Sequence, residues 1–247
     1  HTERIQTLET ADLAALTTAA LRGLSSAQIA ALSTDAIVAL GTAQVASLTT
    51  AQVVALTSEQ MLALETADLR AFGTAAIRAL GSDQLNALAS DQVAALSTAQ
   101  VVTLSGAQVA ALTTDTLNAL SATQFAALGT AQAAALTTAQ AAALETADVA
   151  ALSTAALRAV TANAMAALGS DAIQALTTTQ AAALTSGQVA ALTSDQMAGL
   201  DAADLAAVSV ASLAAMATAT LQALGSDQIV ALTTAQVAGL TTAQVAR

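Results

Sequence analysis

The chain contains no cysteine, proline, tryptophan, tyrosine or lysine, and two phenylalanines are the only aromatic residues among 247. Without cysteine there is no disulfide scaffold, thiol redox centre or thiolate metal site. Six basic residues against 17 acidic ones give a net charge of −11, which excludes electrostatic nucleic-acid binding. The single histidine is His1, so no internal imidazole can activate the many Ser and Thr hydroxyls as nucleophiles. No Gly-rich phosphate loop occurs either. Charged residues make up only 9% and hydrophobic ones 55%, too apolar a balance for disorder. A mean hydropathy of +0.66 suggests membrane, yet apolar runs are short, far below the about 20 residues a spanning helix needs. The expectation is a protein with no catalytic function, cofactor, small-molecule substrate or membrane span. The start at His1-Thr2-Glu3-Arg4 is neither an initiator Met nor a signal peptide and reads as a processed chain or a segment.

What is present is a repeat. Leucine fills 26 of the 30 positions divisible by eight, with Phe72, Val160, Val208 and Met216 at the others. The register is never broken, so residues 1–247 read as one continuous array of 30 octads and a partial one. In Thr49-Thr50-Ala51-Gln52-Val53-Val54-Ala55-Leu56, numbered positions one to eight, each position behaves differently. Position five is usually larger than Ala, position two is usually Ser or Thr, and position seven is nearly always Ala. Position six varies freely, from Arg22 to Val38 and Asn86.

Ser or Thr at position one with Gln or Asp at position four matches a helix capping box. The preceding Leu and the residue at position five then form a hydrophobic staple. Acids at position three, such as Asp35, Glu59 and Asp83, fall in the first turn, where the helix dipole favours them. Position two, with its regular hydroxyl, is the alternative cap. A single long helix does not fit, because eight residues advance about 80° past two full turns and the Leu row would wind around the rod. A β-solenoid would send positions five and eight to opposite faces, and Ala is a poor strand former.

The pattern therefore predicts an all-α solenoid of short helices, about six residues each, one per octad. Corners fall at positions eight, one and two. Positions five and eight face the core, which includes Leu8, Leu16, Leu24, Leu32, Leu40, Val45, Leu48, Val53 and Leu56. Position seven stays small because the next coil packs there, and positions three and six face outward. Three or four octads per coil both close a compact ring. The acidic unit Glu9-Thr10-Ala11-Asp12 recurs at Glu65–Asp68, at Glu145–Asp148 and, as Asp201-Ala202-Ala203-Asp204, once more. Its first and last spacings are equal, and the middle one is longer by three octads, which favours three per coil.

The acidic units supply two carboxylates each, against the six to eight ligands Ca²⁺ takes, so they read as capped helix starts. Arg22, Arg78 and Arg158 follow Asp12, Asp68 and Asp148 by a constant ten residues, which makes inter-unit ion pairs the candidate role for these six. Regular Thr rows also raise ice binding, a remote reading because the hydroxyls already cap helices. Outward apolar residues at position six (Val38, Val54, Leu62, Val102, Val230) suggest solvent exposure or lateral contact.

The run Leu48-Thr-Thr-Ala-Gln-Val-Val-Ala-Leu56, repeated throughout, resembles the Ala/Thr-rich octapeptide arrays of large repetitive bacterial surface and secreted proteins of the adhesin type. That resemblance implies an extracellular or cell-surface structural role, as a rigid rod or spacer or as a filament subunit associating end to end. The Gly-Asp-rich Ca²⁺ repeats of some such proteins are missing here. The alternative is a binding module that displays variable positions three and six to a protein or surface.

Overall fold

In a computed structural model, which describes residues 9–246, all regular secondary structure among the described residues is helical. Thirty helices of four to six residues follow one another, from Thr10–Ala14 to Thr242–Val245, one per octad. The helix cap is position one, not position two. In Ser58–Ala63, the Thr57 hydroxyl accepts from the Gln60 N–H at 3.2 Å, and Gln60 Oε1 accepts from the Thr57 N–H at 2.9 Å. Where position one is Gly or Ala, as at Gly81 and Ala89, only the second half of the box forms.

The corners need no special residue. Leu64 (φ −64°, ψ 138°) and Glu65 (φ −69°, ψ 152°) are both extended, and position two already opens the next helix. No described residue has positive φ and no peptide bond is cis. A turn made of two extended residues with ordinary dihedrals explains why the chain dispenses with proline and never requires glycine at a corner.

The helices fall into two compact units, His1–Leu120 and Ser121–Arg247. Within the first, Thr42–Ser47 packs on Thr66–Ala71, and Thr34–Val38 on Ser58–Ala63, each three octads apart. Within the second, Thr130–Ala134 packs on Thr154–Ala159 and Ala162–Ala167 on Ser186–Ala191, again three octads apart. Side-chain hydrogen bonds, by contrast, reach four octads back, from Gln60 to Ile29 and from Gln180 to Val149. Within each unit a helix thus lies on the helix three octads earlier, and its Gln reaches the corner just before that helix. Within each unit a coil closes about every three octads, the lower of the two counts expected and the one that the acidic units favoured.

Positions five and eight form the core. Val45, Val53, Met61, Leu69, Ile77 and Phe125 are fully buried at position five, with Leu32, Leu40 and Leu56 buried at position eight. Leu16, Leu24 and Leu48 are half-buried, and Leu8 lies outside the described residues. Helices this short are unstable alone, so stacking has to hold them. Each large side chain buried this way contributes about 1.5–3 kcal/mol against ordering costs of similar size.

Position seven abuts position two of the octad three earlier. Gly199 faces the Ser170 carbonyl at a distance that leaves room for a Cβ (3.8 Å), whereas a Cβ on Gly239 would overlap Val210 Cγ1. Val210 is the one bulky aliphatic residue at position two, and it sits opposite a glycine. Gly199→Ala is expected to stabilise by about 0.5–1 kcal/mol, because it ends a helix without a clash. Gly239→Ala is expected to cost about 1–2 kcal/mol by overpacking, and Val210→Ser in the same chain to remove that cost. Amide exchange across 186–246 reads both changes.

Candidate functional site

The dominant polar feature is built from position four. Gln occupies it in 17 of 31 octads, and Glu in none. A capping box accepts either residue, so a second demand must favour the amide over the Glu carboxylate of the same length. The Gln side chain is buried (Gln52 and Gln60 are 2% exposed) and works at both ends. Oε1 takes the N–H of its own cap, while Nε2 crosses to the coil beneath. Gln60 Nε2 donates to Ile29 O at 2.9 Å, to Ala30 O at 3.4 Å and to Leu32 O at 2.7 Å. Gln196 repeats this on Met165, Ala166 and Leu168, and Gln236 on Leu205, Ala206 and Val208. One amide therefore satisfies a helix start and a helix end that the short helices leave open. A carboxylate in that place has no hydrogen to give to the carbonyls.

Outward positions add lighter stitches. Asn86 Nδ2 donates to Ala111 O at 2.9 Å while its Oδ1 accepts from the Thr113 N–H. Ser26 Oγ donates to Ala51 O. Arg158 Nη1 donates to Ala183 O at 3.2 Å, three octads on.

The six residues paired in the sequence lie as follows. Asp12, Arg22, Arg78 and Arg158 are exposed, whereas Asp68 and Asp148 are buried, 2% and 5% exposed. The buried acids stand at position four, in the place of the Gln amide, and the arginines at position six point outward. The carbonyl of Ala183 is the partner observed for Arg158.

Those buried acids are the most unusual groups in the fold. One oxygen of each, Asp68 Oδ1 and Asp148 Oδ2, has no hydrogen-bond partner. Burial pushes the Asp148 carboxyl up to about 6; the nearby Glu145 charge adds to the shift, and the Glu145 N–H opposes it. Glu59 goes the other way, held below the usual carboxylate range by its own backbone N–H and the Thr57 hydroxyl. Surface hollows of about 430–450 Å³ recur between corners three octads apart, one lined by Leu62, Glu65, Ala89 and Asp91 and another by Gly199, Asp201, Gly225 and Asp227. They repeat because the corners repeat. Among the described residues no three His, Cys, Asp or Glu side chains gather around a metal position, and no helix is long and apolar enough to cross a membrane.

Short capped helices, one per octad and clasped from coil to coil, define a tandem α-helical repeat protein. The ALTTAQ repeat family model matches residues 5–42, 37–64, 61–98, 93–121, 141–178, 197–234 and 221–247, and the chain belongs to that family. Position by position the name describes the unit itself: Ala and Leu at seven and eight, then Thr, Thr, Ala and the clasping Gln. No curated protein matches the chain.

Proposed function

We propose that the protein is a non-enzymatic structural element, extracellular or at the cell surface, which serves as a stiff spacer or as a filament subunit joined end to end. The observation that carries this reading is the Gln clasp, which recurs in both compact units with the same partners and leaves variation to the outward positions. Repetition without a distinguished pocket suits a load-bearing array. On this reading the chain takes no cofactor, small-molecule substrate or nucleic acid. Electron microscopy with analytical ultracentrifugation tests the reading. Fibres with an axial repeat are the expected result. Monodisperse particles at every concentration would remove the filament and leave the spacer.

A binding module remains the second reading, and one observation favours it. Val38 and Leu62, both exposed at position six (48% and 55%), stand on helices that pack against each other. A partner selected by these residues would be lost in Val38→Ser/Leu62→Ser while the fold persists, as read by pull-down and circular dichroism.

A further inference from the structure

In the sequence the acidic octads offer two carboxylates each, too few for a cation. The fold adds what was missing. Acid at position one occurs only where position four is Asp, so every octad that puts Asp in the place of the clasping amide also brings a second carboxylate beside it. Two neighbouring carboxylates repel, and burying one of them raises the cost. Asp68 is 2% exposed and its Oδ1 has no partner. The equivalent group of Gln60 sits 2.7–3.4 Å from three backbone carbonyls of the octad four back. The same register sets Asp68 over the carbonyls of Ile37, Val38 and Leu40. Oxygen then faces oxygen, where Gln60 and Gln196 have N–H facing oxygen.

We propose that Asp68 and the carbonyl oxygens of Ile37, Val38 and Leu40, joined by the Glu65 carboxylate, bind a hard divalent cation of the calcium type between two coils. Three carbonyls and two carboxylates supply five to seven oxygens, which overlaps the six to eight that Ca²⁺ takes, and waters complete the shell. Two negative charges match the ion. The absence of sulfur and nitrogen ligands excludes zinc and copper chemistry, and a cage of carbonyls suits Ca²⁺ better than Mg²⁺, which keeps its water.

The test is equilibrium dialysis of the full chain with radioactive Ca²⁺ after chelator treatment, in parallel with Asp68→Gln, a substitution that installs the residue of the neighbouring octads and keeps the fold. The wild-type chain is expected to bind Ca²⁺ with Kd of about 10⁻⁴–10⁻³ M, the range of extracellular modules. Asp68→Gln is expected to bind one equivalent fewer with an unchanged circular-dichroism spectrum, and Glu65→Gln to weaken that equivalent. Amide exchange over 65–72 should slow on adding CaCl₂ and not on adding choline chloride of equal ionic strength. Equal stoichiometry in wild type and Asp68→Gln would overturn the proposal. So would slowing of the same amides by mild acid but not by CaCl₂, because the carboxyl would then be taking a proton instead of a cation.

Discussion

Gln60→Glu is expected to destabilise its neighbourhood by about 2–4 kcal/mol at pH 7, more than Gln60→Ala, expected at about 1–2 kcal/mol. Glu keeps the shape of Gln and can still accept from the Thr57 N–H, which Gln60 Oε1 receives at 2.9 Å. What changes is the other end. A carboxylate oxygen replaces an amine that lies 2.9 Å from Ile29 O and 2.7 Å from Leu32 O. Ala merely removes the side-chain donor from those carbonyls, as do the native octads with Ala76 or Ala156 at position four, and Ile29 O keeps the Leu32 N–H. Burial among carbonyls raises the pKa of the introduced carboxyl in the fold, so its penalty is absent below the unfolded value of about 4.3 and grows as pH rises through the folded value. The ranking of the two variants therefore narrows or reverses near pH 4. Thermal denaturation at the two pH values, with amide exchange over 25–64 to localise the effect, measures it.

The converse substitution, Asp148→Gln, is expected to stabilise by about 1–3 kcal/mol at pH 7.5 in chelator. Burial, aided by Glu145, holds the Asp148 carboxyl at about 6 against an ordinary value of 3.8. The folded state thus binds a proton that the unfolded chain releases. The sign follows: the contribution of this group is most favourable below about 3.8, and it is lost as pH rises to about 6. The amide of the variant does not titrate, so its advantage over the native Asp148 should be full above about pH 6 and vanish near pH 4. A stability difference independent of pH would show that the carboxyl is not the source.

Much of this architecture was legible in the octad. Residues three apart, such as Val53 and Leu56, share a helical face and not a strand face, which made positions five and eight the core. Position seven was small for the reason that Gly239 and Val210 display, contact with another coil. The number of octads per coil was only partly legible, because a fixed period states that successive turns are alike without stating the angle between them, and the one clue was the three-octad insertion between acidic units. The pattern favours three. The packing of each helix on the one three octads away agrees with it.

The Gln clasp was missed for a different reason. A capping box already explained Gln at position four, and one sufficient cause concealed the other. The signal was there in the exclusion of Glu, which caps as well as Gln but cannot donate. The same oversight made Asp68 and Asp148 look like partners for arginines on the surface, when their position placed them inside. Arg78 and Arg158 stand at position six of the following helix and face outward.

Proton exchange of the glutamine side-chain amides, resolved by NMR, tests the clasp most directly. Gln60, Gln196 and Gln236 should exchange at least about tenfold more slowly than Gln174 and Gln222, which stand exposed at position six. Gln60 Nε2 should also show through-hydrogen-bond couplings to the carbonyl carbons of Ile29 and Leu32. If the position-four amides exchange as fast as Gln174, the coils are not held together in this way.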